Sequence, residues 1–269
     1  SISELAREID HYTEENIRLA QERERVEAEL DMAKEIQTSQ LPEINAELGD
    51  GDRFDIYAIM TPAKEVGGDF YDFFKIDDDH LALVIADVSD KGVPAALFMM
   101  MSKILINNYA MMGLSPGEVL EHANNSICQN NKRKMFVTVW FGILEISSGK
   151  ITASNAGHEY PVICQPKGEF ELLKDKHGFV LGAKPGKKYT DYEITLKKGG
   201  TLFVYTDGVP EAINSREEML GTSGMIQVLN ESPDSSPREL LERVQRALTD
   251  YAGDVPQFDD TTMLCIKLV

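Results

Sequence analysis

Apolar residues recur at alternating spacings of three and four through the first forty positions. Ile2, Leu5, Ile9, Tyr12, Leu19, Val26, Leu30 and Ala33 mark one seam, and Asn16 and Arg23 occupy the two places between them. This is the a/d register of a heptad repeat, sustained for more than four heptads. Most other positions are Glu, Arg, Gln or Asp, and neither Gly nor Pro appears before Pro42. The pattern predicts a linker and dimerisation helix over residues 1–41, paired as a parallel coiled coil and ended by Pro42. Asn16 and Arg23 would weaken the seam while fixing its register. A single solvated helix lying along its own domain is the alternative.

Beyond Pro42 the period shortens. Phe54 to Met60 alternates, and Phe70 to Ile76 and Leu81 to Asp87 read as strands joined by a turn at Asp77-Asp78-Asp79. An apolar helix opens at Gly92-Val93-Pro94, with Pro near its first turn, and runs to about Met112. Its five methionines (Met99, Met100, Met101, Met111 and Met112) read as adaptable core filler. Ser115-Pro116 starts a second helix. Strands return at Phe136 to Ile146, Lys150 to Ser154, Pro161 to Gln165, Thr190 to Leu196 and Thr201 to Thr206. Helices over Thr222 to Asn230 and Pro237 to Ala252 precede a last strand, Thr261 to Leu268. Antiparallel-looking runs with paired helices between them predict an α+β domain over residues 42–269, its sheets covered by helices.

Charge and composition narrow the function. The chain carries 45 acidic and 27 basic residues, a net charge of -18. That sign excludes binding dominated by nucleic-acid phosphates and disfavours a hold on anionic lipid. With 42% hydrophobic and 27% charged residues, the composition is that of a soluble globular protein rather than a disordered chain. The longest apolar run, Val93 to Met101, is about half a membrane span. Cys128, Cys164 and Cys265 are odd in number and widely spaced, which argues against disulfides or a zinc site and for a reducing cytoplasm. An opening Ser rather than Met implies a fragment with a domain upstream.

The remaining signal is a set of aspartates at strand ends. If the hairpin turn centres on Asp78, residues whose numbers sum to 156 face each other, as Asp69 and Asp87 do. Their Cβ atoms would then stand about 5 Å apart. Two carboxylates that close repel, and a divalent cation relieves the conflict. Asp207 ends one strand and Asp259 precedes another, so antiparallel neighbours would bring them to one edge. Four carboxylates without a His or Cys pair form a hard oxygen site, suited to Mg²⁺ or Mn²⁺ and not to zinc. Asp72, an odd number of positions from Asp69, points the other way and is left out. Taken singly, each acid also fits an ordinary turn or cap.

The stretches Glu65-Val66-Gly67-Gly68-Asp69-Phe70-Tyr71-Asp72 and Ala86-Asp87-Val88-Ser89-Asp90-Lys91-Gly92-Val93-Pro94-Ala95-Ala96-Leu97 come first. Asn155-Ala156-Gly157-His158, Tyr205-Thr206-Asp207-Gly208 and Asp259-Asp260-Thr261-Thr262 follow in that order. Together they resemble the SpoIIE-like and RsbU-like phosphatases, the bacterial branch of the metal-dependent PPM (type 2C) Ser/Thr protein phosphatases. The resemblance covers residues 42–269, and Met32 to Gln37 with Leu41-Pro42 is similar to the linker that joins such domains to a sensor.

The resemblance implies an αββα sandwich with two Mn²⁺ or Mg²⁺ ions at one edge. Asp69, Asp87 and the Val88 carbonyl would bind metal, with Asp87 bridging, and Asp207 and Asp259 would bind the other ion. Asp260 replaces Asp259 if the last motif shifts by one. A water or hydroxide held by the ions would attack phosphorus, with no protein nucleophile. Lys64 stands where many type 2C enzymes hold phosphate with Arg, and would act as a point charge. Ser89 stands where many have a general-acid His, so no general acid is assigned. His158 reads as a residue that holds a turn. The implied substrate is a phosphorylated STAS-type anti-anti-sigma factor or related regulator in a sigma-factor stress response. Coiled coil and methionine-rich helix would couple dimer geometry to metal occupancy. Gly67-Gly68-Asp69-Phe70 also resembles the GG(D/E)EF motif of diguanylate cyclases, but one acidic residue is missing and Asp207 and Asp259 would have no role. A pseudophosphatase that only binds its partner is the non-enzymatic alternative; the presence of every expected ligand argues against it.

Overall fold

A computed structural model describes residues 2–42 and 53–269, with the side chains of residues 2–9, and so seam positions Ile2, Leu5 and Ile9, outside the described set. The chain divides into two units at Gln40 and Leu41. The first is one helix, α1 (Ile2–Ser39). Tyr12, Leu19 and Val26 of the predicted seam are exposed on it, as are Ile17, Met32 and Ile36. Its surface carries i,i+4 pairs, Arg23 with Glu27 and Arg25 with Glu29, of the kind that support an exposed helix.

The second unit contains β1 (Phe54–Thr61), β2 (Phe70–Lys75), β3 (His80–Val88), α2 (Val93–Ala110), α3 (Pro116–Asn130), β4 (Val137–Glu145) and β5 (Lys150–Ala156). There follow β6 (Val162–Cys164), β7 (Glu171–Leu172), β8 (Tyr192–Thr195), β9 (Thr201–Tyr205), α4 (Gly221–Asn230), α5 (Pro237–Ala252) and β10 (Thr261–Leu268). One sheet runs β1-β10-β9-β6-β7 and the other β2-β3-β4-β5-β8, every pairing antiparallel.

Three apolar clusters account for the layering. Phe54, Tyr71, Phe73, Leu83, Ile85, Trp140, Leu264 and Ile266 fill the space between the sheets. Phe70, Val84, Phe98, Met99, Ile106, Leu120 and Phe141 join the β3-containing sheet to α2 and α3. Phe203, Tyr205, Met225, Leu229, Leu240 and Val244 join the other sheet to α4 and α5. The order is therefore helix, sheet, sheet, helix, the predicted αββα sandwich.

Local chemistry explains the main boundaries. Ser115 and Ser236 each close a capping box with Glu118 and Glu239, and Pro116 and Pro237 open their helices at the position where a missing N–H costs nothing. The β2–β3 turn is set by Asp77, whose carboxylate accepts the N–H groups of Asp79 and His80, each at 2.8 Å. Phe70 then pairs with Ala86 and Tyr71 with Ile85, so partner numbers sum to 156 as the turn predicts. Within β2, Tyr71 and Phe73 enter the inter-sheet core while Phe70 faces the helices. Asp72 also faces them, 2.6 Å from Lys103 of α2.

Two differences from the sequence reading have physical causes. The methionine-rich helix ends at Ala110, leaving Met111 and Met112 beyond it. It is buried on one face only: Ala95, Met99, Ser102 and Ile106 lie on the buried side, while Leu97 is 64% and Ile104 52% exposed. A helix apolar all round gives no sign of which face stays open. The two-residue β7 is too short to show alternation.

Trp140 is fully buried between the sheets, and its indole N–H donates to Tyr192 Oη at 2.7 Å. Trp140→Ala is expected to cost about 3–5 kcal/mol, read as a lower midpoint in chemical denaturation followed by far-UV circular dichroism.

Candidate metal centre

The site lies where the facing sheets present strand ends to one edge. Asp69 precedes β2 and extends its register to lie opposite Asp87 of β3. On the other sheet the Thr206 N–H donates to Thr262 O, placing Asp207 after β9 beside the entry to β10.

Burial and repulsion act on these carboxyls together. Burial, then the charge of Asp87, raises the Asp69 pKa well above the usual carboxylate range. Asp87 is pushed up to about 7, first by burial and then by Asp207, and it is hydrogen-bonded to Asp69. Asp207 is pushed up to about 6 by burial, then by Asp259, Glu211 and Glu159. Near neutral pH a proton is thus retained within the Asp69–Asp87 pair.

Asp259 and Asp260 have different surroundings. Asp260 is buried, and its carboxylate accepts the N–H groups of Ala63 at 2.8 Å and Gly68 at 2.7 Å. It ties down the loop that delivers Asp69. A Cβ on Gly67 would sit 2.6 Å from Asp260 Oδ2, and one on Gly208 only 2.0 Å from Asp260 O, so both glycines are required by close approach. Asp259 is partly exposed. Its Oδ1 accepts the Asp260 N–H at 2.9 Å, and its Oδ2 is 2.9 Å from Lys91 Nζ.

The other sequence-derived positions surround this cluster. The Val88 carbonyl oxygen lies 3.1 Å from where a Cβ on Gly68 would stand, so a glycine leaves that oxygen room. Lys64 is exposed on the loop tied by Asp260. Ser89 Oγ accepts the Phe136 N–H at 2.9 Å. His158 is buried, with Nε2 3.1 Å from the Tyr205 carbonyl and Nδ1 2.8 Å from Thr138 Oγ1. A carbonyl only accepts, so Nε2 carries the proton and the Thr138 hydroxyl donates to Nδ1. Burial lowers the His158 pKa to about 3, and the neutral ring links β4 to β9 across the two sheets.

Four contributors escape the sequence reading. Thr206 Oγ1 donates to Asp69 at 2.6 Å, Lys91 holds Asp259, and Glu159 and Glu211 add charge against Asp207. Lys91 and Glu159 sit in or beside the motifs quoted above, but only the fold shows which aspartates they meet.

The donor set fits a hard divalent cation, since its members are all oxygen and Asp69, Asp87 and Asp207 are each unfavourable as an isolated anion. Asp87, Thr138, Gly157, His158, Glu159 and Asp207 line a small cavity of about 60 Å³ there. Among the described residues no three His, Cys, Asp or Glu side chains are gathered tightly enough to enclose an ion as they stand. Asp69 is engaged by Thr206 and Asp259 by Lys91, so enclosure requires side-chain adjustment. No helix among the described residues is long and apolar enough to cross a membrane.

Residues 77–269 match the family described as Stage II sporulation protein E (SpoIIE). The chain is 32% identical to protein IcfG of Synechocystis sp., covering 88% of this chain and 41% of IcfG. It is 28% identical to the phosphoserine phosphatase RsbU of Bacillus subtilis, over 90% of this chain and 70% of that protein. The chain thus spans less than half of IcfG. Its fold is shared with the SiaA-PP2C domain of Pseudomonas aeruginosa, with a TM-score of 0.80 at 22% identity, covering 91% of this chain and 98% of that domain.

The raised carboxyls give a pH dependence. A carboxyl whose folded pKa exceeds its unfolded one contributes most stability below the unfolded value and loses it as pH rises through the folded value. For Asp87 that window runs from 3.8 to about 7. In EDTA, Asp87→Asn should therefore raise the melting temperature at pH 7.5 by about 2–8 °C, equivalent to about 1–2 kcal/mol, and by roughly a third as much at pH 5. Thermal scans at the two pH values check this.

Proposed function

Because the chain belongs to the SpoIIE family, we propose that residues 42–269 form a divalent-metal-dependent phosphatase acting on phosphoserine or phosphothreonine in a regulatory protein. The carrying observation is the convergence of Asp69 and Asp87 from one sheet with Asp207 and Asp259 from the other, the carboxyls of Asp69, Asp87 and Asp207 being raised by burial and mutual repulsion. The phosphoserine phosphatase RsbU supports the reaction type.

Asp69, Asp87 and the Val88 carbonyl are the donors for one Mn²⁺ or Mg²⁺ ion, and Asp207 and Asp259 those for a second. When bound, such ions activate water and stabilise charge on a transferring phosphoryl group. Asp260 acts as a brace rather than a ligand, since backbone N–H groups occupy both its oxygens. Lys64 would meet a phosphoryl oxygen as a point charge, a role supported by its exposure on the loop that Asp260 ties. His158 stays neutral and holds β4 to β9. Ser89 is committed to Phe136, and no general acid is assigned.

The substrate class is a phosphorylated STAS-domain protein or similar regulator in the cytoplasm. The seam on α1 forms a homodimer, and α2, which starts six residues after Asp87, relays dimer geometry to the metal ligands. The exposed Tyr12, Leu19 and Val26 support the dimer by leaving that seam open to a second copy.

Phosphate release from a phosphoserine protein, measured with Mn²⁺, should fall at least about 10²-fold in Asp207→Asn and vanish in EDTA. Release that ignores both Mn²⁺ and EDTA overturns the metal mechanism. Placing Glu at both Leu19 and Val26 should convert dimer to monomer in light scattering and lower phosphate release at least about threefold, because like charges would face each other across the seam. A dimer with undiminished activity contradicts the proposed coupling.

A further inference from the structure

Lys91 lies in the connection between β3 and α2, flanked by Asp90 at φ 71° and Gly92 at φ 80°. Two left-handed residues turn the chain sharply there and aim Lys91 back at the segment before β10. Its ammonium makes three contacts with that segment. Nζ donates to the Phe258 carbonyl at 2.6 Å, lies 2.9 Å from Asp259 Oδ2, and sits 4.2 Å from the centre of the Phe258 ring. Lys91 and Asp259 side chains are each 27% exposed, so the pair is partly shielded from water.

The ring helps explain why the contact is local. Phe258 is 76% exposed, and a cation over its face retains favourable electrostatics while water reaches the rest. Because the Asp259 Oδ1 atom already accepts the Asp260 N–H, Oδ2 is the oxygen free of backbone, and Lys91 has taken it. Asp259 also presses on Asp207 and Asp87, so the ammonium screens the one carboxylate that both repel.

We propose that Lys91 is an internal counter-ion that competes with a divalent cation for Asp259, and that it is displaced when the cation binds. This rests on Asp259 being a ligand. An oxygen donating its lone pairs to a divalent ion cannot keep an ammonium at 2.9 Å without placing two cations side by side. Lys91 therefore sets the affinity of the Asp207–Asp259 position, and it positions the loop between β3 and α2 through the same contact.

Direct Mn²⁺ binding by titration calorimetry on the whole chain tests this, with wild type, Lys91→Met, Lys91→Arg and Asp259→Asn compared. Lys91→Met keeps the length and removes the charge, and should bind roughly threefold to tenfold more tightly. Lys91→Arg should stay near wild type, and Asp259→Asn should bind more weakly. Equal or weaker binding by Lys91→Met overturns the proposal. Amine acetylation read by mass spectrometry gives a second measure that needs no variant. Mn²⁺ should raise the labelling of Lys91 severalfold while the exposed Lys167 is unchanged. Unchanged labelling of Lys91 in a chain that does bind Mn²⁺ refutes displacement alone. Failure of the wild type to bind Mn²⁺ at all refutes the metal site as well.

Discussion

Carboxyl groups from two different sheets are held close enough to raise one another's pKa, and the rest of the fold must oppose their separation. Like charges out of water repel strongly enough to drive strand ends apart unless each is tied by bonds that do not depend on its own charge. The ties are visible. The neutral His158 links β4 to β9, Asp260 binds the loop leading to Asp69, and Thr206 holds the Asp69 carboxylate. Below the edge, the inter-sheet core around Trp140, Tyr71 and Ile85 keeps the sheets in contact along their length. Repulsion at the rim is thus balanced by apolar burial behind it.

Asp260 has two functions that are easily confused in a sequence. Its side chain organises backbone, and its carbonyl forces glycine at position 208. The adjacent Asp259 takes the Asp260 N–H on one oxygen and gives the other to the Lys91 ammonium. Two neighbouring aspartates in one motif are therefore divided between structure and chemistry by which backbone N–H groups reach them.

Much of the architecture was legible because it depends on local rules. The Asp77 turn and period-two alternation fix the pairing of Phe70 with Ala86, and a Ser with Glu three residues on marks the starts of α3 and α5. Antiparallel order alone brings Asp207 toward Asp259. What escaped depends on distant closure. The bond from Gly68 to Asp260 spans 192 positions and that from Lys91 to Phe258 spans 167, and no local pattern announces either. The open face of α2 escaped for another reason: an apolar residue at nearly every position hides which side the sheet will take.

The β2–β3 hairpin has a consequence for how such a protein can diverge. β2 is at the edge of its sheet and pairs with β3 alone, so nothing on its other side corrects its alignment. The turn is about 24 Å from Asp87, by strand rise from His80 along β3. Surface turns ordinarily absorb insertions and deletions with little effect. Here one residue gained or lost at Asp77–His80 would slide β2 by a position, exchange its two faces and carry Asp69 out of alignment with Asp87. The hairpin tip is a length gauge for the carboxyl pair, and its residue number matters more to that pair than the identity of the residues that Asp77 does not bind.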